Sequence, residues 1–377
     1  MGKHLLLLGG GHAHLTVLAN LASYIDAGHR VTLVAPADYH YYSGMGPGML
    51  SGHYRPQECR FHVRKLAERG GAVFIRSRAV RVEPDRNVVH LENGMAVGYD
   101  VCSCNTGSLV PPRLAGAGQK HVFPVKPIEN LLAARQYLLD IVEREGRSPR
   151  VLVVGGGPAG VELAGNVCQL ISCGCTETPN VSVAPGRGLL PRAPEKVRRL
   201  AYRVLAARGV RIFDGHTAAR VDQDTAYLSG DLRVPCDAVL LAAGVVPQPD
   251  WSHFGLAAGP KGGLLVNRNL QSVSHPNVFG GGDCISFQPG ELDKVGVYPV
   301  RQNPVLHHNL MAALDGRKPQ PFTQTQGGYL LVLNCGDGRG ILHKGWLCFE
   351  GRAAFWIKDY IDRKFMKMFQ LCGEAAE

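Results

Sequence analysis

The chain opens with KHLLLLGGGHAHLTVLANLA, residues 3–22, and this pattern returns as RVLVVGGGPAGVELAGNV at residues 150–167. Each version begins with a short apolar run, passes through a glycine-rich loop and ends in apolar residues at helical spacing. A β-rich run follows each one, RVTLVAP at 30–36 and NVSVAP at 180–185. Strand, glycine loop, helix and strand in this order make the βαβ unit of a doubly wound sheet. The repetition predicts an α/β chain with two Rossmann-like domains.

Length and composition limit the class of protein. The 377 residues suffice for two or three domains, and 45% hydrophobic with 19% charged residues is typical of a globular chain. The net charge of +10 favours an anionic partner, such as nucleotide phosphates or an anionic membrane surface. We find no basic module of the kind that binds nucleic acid and do not expect that partner. We also find no signal peptide and no apolar stretch of the roughly 18 residues that span a bilayer, so we expect a cytoplasmic protein.

The first glycine loop is an incomplete dinucleotide fingerprint. Gly9 and Gly11 occupy the positions that allow the tight turn and the close approach of a diphosphate, whereas His14 occupies the place of the third glycine. That third glycine serves helix–strand packing, so its loss weakens the motif without removing the phosphate contacts. The alternative is a strand–helix corner that binds no cofactor.

Two distant motifs strengthen the cofactor interpretation. The two motifs are YDVCSCNTGS, residues 99–108, and NVFGGGDC, residues 277–284. In each of them a short strand-like run is followed by small and polar residues. With the two glycine loops, in this order, the chain resembles the flavoproteins with two dinucleotide-binding domains, which include type II NADH dehydrogenases, sulfide:quinone oxidoreductases and disulfide reductases. GGGHAHL, YYSGMGPGMLSGHY, GVYPVRQNPVLHHNL and DYIDRKFMKMF resemble, in particular, the NADH dehydrogenase-like flavoproteins found fused to selenophosphate synthase.

The resemblance implies a cofactor, a co-substrate and domain boundaries. FAD is expected in a discontinuous domain of residues 1–115 and 246–320, NADH or NADPH in residues 116–245, and a small α+β block in residues 321–377. The residues expected to bind FAD are Gly9, Gly11, His12, Ala13, Pro36, Thr106, Gly107, Gly282, Asp283 and Gln302. Those expected to bind NAD(P)H are Gly155, Gly157, Pro158, Gly160, Arg187 and Gly244.

The second glycine loop is complete, and two residues near it bear on the donor. The resemblance implies that Glu162 faces the contact between flavin and nicotinamide; alternatively, it only complements the dipole of its helix. The next strand ends in Ala184 without the acidic residue that holds the ribose hydroxyls of NADH. Arg187 follows and can pair with a 2′-phosphate, so NADPH and NADH both stay open.

Three features bear on the acceptor. Gln302 is expected near the flavin, as the one residue kept from the Ala-Gln-x-Ala pattern of type II NADH dehydrogenases. A sulfide:quinone oxidoreductase needs two cysteines beside the flavin, which here would be Cys335 and a mid-chain partner from Cys168, Cys173 and Cys175. The alternative is that these thiols are buried packing residues. Only Cys59 lies where disulfide reductases carry a redox pair, so that relay is not expected.

The terminal segment 355–371 predicts an amphipathic helix. Ile357, Ile361, Phe365 and Met368 recur at helical spacing, and basic residues that include Lys358 surround them. Such a helix suits the inner face of an anionic membrane, or it packs on the body or on a second subunit. We therefore expect an FAD-dependent oxidoreductase that passes electrons from NAD(P)H to a quinone-type acceptor, without a metal. The rivals are a sulfide (chalcogenide):quinone oxidoreductase using Cys335 and a flavin-binding scaffold with little turnover.

Overall fold

The computed structural model describes residues 2–323, 328–371 and Glu374. The predicted C-terminal block, 321–377, therefore includes positions outside the described residues. The helices are α1 Leu15–Ala19, α2 Leu21–Asp26, α3 Gly46–Ser51, α4 Val63–Arg69, α5 Asn130–Glu145, α6 Pro158–Gly174, α7 Glu195–Ala207, α8 Val297–Asp315 and α9 Arg352–Phe369. Short 3-10 turns cover His12–His14, Pro56–Cys59, Pro84–Arg86, Trp251–Phe254 and Gly282–Cys284.

The strands fall into several small sheets and two larger ones. In chain order they are β1 His4–Leu8, β2 Arg30–Ala35, β3 His40–Tyr41, β4 Arg60–Phe61, β5 Val73–Arg76, β6 Ala79–Glu83, β7 Val88–Leu91, β8 Ala96–Gly98, β9 Val101–Cys104, β10 Ser108–Leu109, β11 Val122–Pro124, β12 Arg150–Val154 and β13 Asn180–Ala184. The later strands are β14 Arg211–Ile212, β15 Ala218–Val221, β16 Thr225–Leu228, β17 Arg233–Pro235, β18 Ala238–Leu241, β19 Val246–Pro247, β20 Leu264–Val266, β21 Val278–Gly280, β22 Ile285–Phe287, β23 Leu331–Asn334, β24 Gly340–Lys344 and β25 Leu347–Gly351.

Two five-stranded parallel sheets form the centre of the fold. The first has the order β21-β9-β1-β2-β5 and the second β11-β18-β12-β13-β14. The central strands β1 and β12 carry the apolar runs that precede the two glycine loops, and their Leu and Val side chains are buried. Burial on both faces is what a parallel sheet covered by helices requires. The prediction of a doubly wound α/β chain with two Rossmann-like units is confirmed.

Smaller antiparallel sheets connect and extend these units. Each unit carries a three-stranded meander, β6-β7-β8 or β15-β16-β17. The short strands β10 and β19 pair where the chain leaves the first unit and where it returns. A third meander, β23-β24-β25, leads into α9. The predicted domain boundaries lie close to β10 and β19 and stay predictions.

His14 explains how the incomplete first loop still packs against its sheet. Its ring is fully buried, with Nδ1 2.6 Å from the carbonyl oxygen of Gly9 and Nε2 2.8 Å from the hydroxyl of Ser103 on β9. The ring thus bridges the loop and the neighbouring strand, where a glycine allows direct contact. Burial lowers the pKa of His14 to about 4, so the bridge is neutral at physiological pH.

Two long helices that the sequence predicts are present, but the capping role that it predicts for two prolines is wrong. The apolar spacing of PIENLLAARQYLLDIVERE, residues 127–145, predicts a helix, and the structure has α5 there, while the predicted terminal helix is α9. In VGVYPVRQNPVLHHNL, residues 295–310, Pro299 and Pro304 are expected to cap a helix, whereas both lie inside α8. Pro299 occupies the first turn, where backbone N–H groups have no helical partner. Pro304 is tolerated because tertiary contacts hold α8: the adjacent Asn303 accepts a hydrogen bond from the backbone N–H of Thr16, at 2.6 Å.

Candidate active site

A cavity of about 1010 Å³ lies at the carboxyl ends of the strands of the second parallel sheet. Doubly wound folds bind their ligands at this edge. Its lining includes the second glycine loop, the turn after β3, the start of α8 and the inner face of α9. Representative lining residues are Tyr42, Gly44, Lys126, Gly155, Gly157, Pro158, Glu162, Arg187, Gly244, Val297, Lys358, Asp362 and Phe365.

The second glycine loop is built to accept a diphosphate. A Cβ at Gly160 would lie 1.9 Å from the carbonyl oxygen of Gly155, so only glycine lets α6 approach the strand there. A Cβ at Gly157, in contrast, would have no atom within 4 Å, which leaves room beside the helix start. Pro158 begins α6 immediately afterwards. The open loop and the positive end of the helix dipole suit a dinucleotide diphosphate.

Arg187 lies at the end of the cavity that follows β13. It is exposed and lines the cavity with Ala184 and Thr217. Within the described part of the chain we find no acidic partner for its guanidinium. Because β13 ends in an alanine, this rim offers a cation and no carboxylate at the position where a ribose is bound.

The first glycine loop meets the later Gly-Asp motif. A Cβ at Gly281 would lie 2.8 Å from the Cβ of Ala13, so the two segments are adjacent. The side chain of Gln302 is fully buried, and its Oε1 accepts a hydrogen bond from the N–H of Gly282 at 2.7 Å. The structure therefore brings together the first loop, Gly282 and Gln302, as the predicted FAD residues require.

Buried donors around this junction fit the oxygen-rich part of FAD. Gln302 Nε2, Asn105 Nδ2 and His12 Nε2 are buried and have no hydrogen-bond partner in the part of the chain that the structure describes. A buried amide without a partner is costly unless a ligand supplies an acceptor. The residues present thus fit FAD. Asn105 was not among the residues expected from the sequence, although it lies inside the NTGS motif beside Thr106.

Asp283 is held by a cation and a hydroxyl. It is paired with the ammonium of Lys126 and accepts a hydrogen bond from Ser108 at 2.7 Å. Burial alone would raise the pKa of Asp283, but the Lys126 charge and the hydrogen bonds hold it below the usual value. Nearby, the Thr106 hydroxyl donates to the carbonyl of Gln248, which joins the NTGS segment to the return strand.

The remaining predicted FAD residues lie in different surroundings. His12 is buried in the first loop, with Nδ1 3.0 Å from Nε2 of His40 and its ring stacked on Phe365 of α9. Burial lowers the pKa of both histidines, to about 4 for His40, so the pair is neutral. Gly107 leaves open space at its α-carbon, and Pro36 is exposed just after β2.

Glu162 is the ionisable centre of the cavity. Its Oε1 accepts a hydrogen bond from the backbone N–H of Asn334, at 2.8 Å. Burial raises its pKa to about 7, against the lowering effect of the Lys358 charge. Glu162 lies in the second turn of α6, and the first turn carries no acidic residue. Its position on the cavity, rather than at the helix end, favours the interpretation as a site residue.

Lys358 and Asp362 bring a buried ion pair from α9 to the same cavity. Lys358 Nζ lies 2.6 Å from Asp362 Oδ2 and donates to the carbonyl of Gly44 at 2.7 Å. The Tyr42 hydroxyl donates to Asp362 Oδ1 at 3.0 Å. Burial, followed by the Asp362 charge, raises the pKa of Tyr42 well above its ordinary value, so this hydroxyl keeps its proton. Next to Glu162, the network can hold and exchange protons inside the cavity.

The role given to Lys358 in the sequence prediction is wrong. It was expected among outward basic residues around an apolar stripe, but it is only 8% exposed and faces inward. The predicted stripe is also divided. Phe365 packs on the body, whereas Ile357, Ile361 and Met368 are exposed. Trp356 and Tyr360, each 66% exposed, lie on the outer face, and Trp346 at the β24–β25 turn is 90% exposed.

The structure does not bring Cys335 to the cavity. This residue is 1% exposed and does not line the cavity, and burial raises the pKa of its thiol to about 12. Cys168 is also buried, and burial raises the pKa of its thiol too. Cys173 and Cys175 lie at the far end of α6, away from the lining residues. A thiol with a raised pKa is a poor nucleophile at neutral pH.

Comparison with known proteins identifies the family. The profile of the family described as "Pyridine nucleotide-disulphide oxidoreductase" matches residues 3–310. "Ferroptosis suppressor protein 1" of Xenopus tropicalis is 27% identical over 74% of this chain and 73% of its own length. "Alternative NAD(P)H-ubiquinone oxidoreductase C1, chloroplastic/mitochondrial" of Arabidopsis thaliana is 24% identical over 87% of this chain and 70% of its own. The structure of NDH2 from Plasmodium falciparum in complex with NADH superimposes with a TM-score of 0.82, at 14% identity, over 100% of this chain and 96% of that chain.

The chain belongs to the pyridine nucleotide-disulphide oxidoreductase family. It is an FAD-dependent oxidoreductase that uses a pyridine nucleotide, as the glycine loops predicted. Among the described residues, none of the helices is both long and apolar enough to cross a bilayer.

Proposed function

We propose that this oxidoreductase passes electrons from NAD(P)H, by way of FAD, to a quinone-type acceptor. The observation that carries the proposal is the single cavity lined by the second glycine loop, the start of α8 and the Glu162–Lys358–Asp362 group. The name of the Arabidopsis relative, an NAD(P)H-ubiquinone oxidoreductase, supports the same acceptor class. When bound, FAD supplies the redox chemistry, accepting hydride equivalents and releasing electrons.

Glu162 supports the acceptor half of this reaction. Reduction of a quinone to a quinol requires two electrons and two protons. A carboxyl group with a pKa of about 7 exchanges its proton readily at neutral pH. Lys358, which stays charged beside Asp362, can stabilise negative charge in the cavity. We propose Glu162 as the proton donor and Lys358 as its electrostatic partner.

Arg187 supports NADPH as the preferred donor. It lines the cavity just after β13, where Rossmann-type domains select between ribose hydroxyls and a 2′-phosphate, and among the described residues no carboxylate pairs with it. The absence of a carboxylate at the end of β13 removes the usual basis for preferring NADH. A guanidinium can bind a phosphate through two hydrogen bonds, which gives the selectivity a geometric basis.

The outer face of α9 supports peripheral attachment to an anionic membrane. Trp346 in the β24–β25 turn and Trp356 and Tyr360 on α9 are exposed aromatic side chains, and we name these three residues the aromatic face. The same two segments carry the exposed basic residues Lys344, Arg352, Lys364 and Lys367. Aromatic and basic residues together favour the interface of an anionic bilayer, where a quinone pool is found. A homodimer through the same face is the alternative occupant.

Two rival functions have less support. A sulfide:quinone oxidoreductase would need a reactive Cys335, whose thiol is buried and away from the cavity. A scaffold with little turnover would not need an ionisable group poised near neutral pH in its cavity. The resemblance to flavoproteins fused to selenophosphate synthase rests on the sequence stretches alone and stays a prediction.

A steady-state assay tests the proposal. The purified FAD-loaded protein is given NADPH or NADH under anaerobic conditions, with and without a short-chain quinone. We expect nucleotide oxidation that depends on the quinone, with NADPH as the better donor. The vesicle test is separate: pelleting with anionic liposomes should be lost in Trp346→Ser/Trp356→Ser but kept in Trp251→Phe, a matched change of a buried tryptophan. Quinone-independent oxidation, or equal pelleting with neutral liposomes, contradicts the respective proposal.

A further inference from the structure

Two buried side-chain amides flank Gly282, and among the described residues neither NH₂ group has a partner. Asn105 follows β9 and is 5% exposed, and Gln302 lies in α8 and is fully buried. Within residues 2–323, 328–371 and 374, neither Asn105 Nδ2 nor Gln302 Nε2 has a hydrogen-bond acceptor. Buried amide donors are almost always satisfied in native proteins, so an unsatisfied pair at one turn calls for a ligand.

The two amides converge on the junction of the first glycine loop and the Gly-Asp motif. Gln302 Oε1 accepts the N–H of Gly282 at 2.7 Å, which fixes the orientation of its amide. Asn105 Nδ2 lies 3.2 Å from the place of a Cβ at Gly282. On its other side, Asn105 Oδ1 lies 1.9 Å from the place of a Cβ at Gly11. Any larger residue at Gly11 would displace Asn105, so the amide is held between the two motifs.

We propose that Asn105 is a cofactor-binding residue and forms, with Gln302, a two-amide clamp. The clamp donates hydrogen bonds to the diphosphate–ribityl portion of FAD. Its chemistry requires acceptor oxygens, which both the diphosphate and the ribityl hydroxyls offer. The clamp depends on FAD binding only and is independent of the acceptor and donor proposed above.

Asn303 provides a matched control. It is a buried asparagine, 1% exposed, next to Gln302, but its Oδ1 is occupied by the backbone N–H of Thr16. Asn303→Ala therefore removes an internal hydrogen bond, whereas Asn105→Ala removes a donor that has no internal partner. A residue with a purely structural role lowers the melting temperature by a similar amount with and without bound FAD, and its loss leaves FAD release unchanged. Loss of a residue that binds FAD weakens the affinity, so its deficit in melting temperature against wild type appears when FAD is bound, because stabilisation by a ligand depends on affinity.

The test measures release of FAD from the holoenzyme and the melting temperature in low and in high FAD. We expect Asn105→Ala to release FAD about 10-fold more readily or more, as one lost hydrogen bond implies. Compared with wild type, Asn105→Ala should lose melting temperature mainly in high FAD, where the cofactor is bound, whereas Asn303→Ala should lose a similar amount in low and in high FAD. Gln302→Glu keeps the acceptor for Gly282 and removes the Nε2 donor, so it should also weaken FAD binding.

Asn105→Asp separates the two sources of acceptor oxygen and also serves if the alanine variant fails to fold. A carboxylate opposite the diphosphate weakens binding more than alanine does, whereas one opposite a ribityl hydroxyl accepts its hydrogen bond and weakens binding less. Weaker FAD binding than in wild type supports the clamp, whether Asn105→Asp or Asn105→Ala binds FAD more weakly. FAD release unchanged in both variants of Asn105, or a loss of melting temperature that is equal in low and in high FAD, overturns it.

Discussion

Replacement of Glu162 by glutamine should make the protein more stable at alkaline pH. The carboxyl group has a pKa of about 7 in the folded chain against an ordinary value of 4.5. At about 1.4 kcal/mol for each pH unit, this difference corresponds to about 3 kcal/mol. Folding favours the protonated form, so the contribution of the group to stability is complete below about pH 4.5 and is lost as the pH rises through 7.

Glutamine retains the interactions of the protonated group. Its Oε1 can still accept the N–H of Asn334, and it carries no charge at any pH. At pH 5 the melting temperatures of wild type and Glu162→Gln should therefore agree closely. At pH 8 the variant should melt about 6 °C higher, at about 2 °C for each kcal/mol in a chain of this size. The exposed Glu143→Gln is the matched control and should show no such dependence.

The same variant separates stability from function. If Glu162 donates a proton to the acceptor, quinone reduction by Glu162→Gln should be slow and should lose the wild-type dependence on pH near 7. Reduction of the FAD-loaded protein by NADPH should change much less. If Glu162→Gln lowered the melting temperature equally at pH 5 and pH 8, the raised pKa of Glu162 would be wrong, because the carboxyl would then carry its charge in the folded protein at both pH values.

Three further substitutions test other parts of the site. Lys358→Met leaves Asp362 buried without its cation and should lower the free energy of unfolding by about 3–5 kcal/mol. The double variant Lys358→Met/Asp362→Leu should recover much of the lost melting temperature, and equal losses in the single and the double variant would contradict the pairing. Arg187→Ala should raise KM for NADPH about 10-fold or more, as loss of a charged hydrogen bond implies, and leave KM for NADH nearly unchanged; parallel changes would remove Arg187 from donor selection. Cys335→Ala should keep NAD(P)H-dependent quinone reduction, and its abolition would return the sulfide:quinone mechanism to consideration.

The fold was predictable because a short, continuous sequence pattern marks each of the two Rossmann-like units. Each glycine loop follows an apolar strand and precedes a helix, so β1 and β12 could be placed as central parallel strands from short windows of sequence. Even the incomplete loop was placed correctly between a central strand and a helical segment, since His14 replaces only the packing glycine. Its bridging role between Gly9 and Ser103 depends on β9, which is distant in sequence, and no local pattern reveals it.

The site was predictable only where a motif marks it. Glu162 follows the second glycine loop directly and could be proposed from its spacing. Asn105 becomes recognisable only when residues near 11, 105, 282 and 302 come together in space. The segment 355–371 has apolar residues on both sides of α9, so periodicity could not tell which side faces the body. The available signal was the i,i+4 spacing of Lys358 and Asp362, which allows an ion pair within the helix.

An anaerobic two-step mixing experiment directly tests the proposed transfer of electrons from NADPH through FAD to a quinone. The FAD-loaded protein is first reduced with one equivalent of NADPH and then mixed with a short-chain quinone, while its visible absorbance is followed. We expect rapid loss of absorbance in the first step and rapid, complete recovery in the second, with the recovery slowed in Glu162→Gln. Failure of NADPH to bleach the protein while sulfide does so, or bleaching without recovery by quinone, would contradict this path of electron transfer.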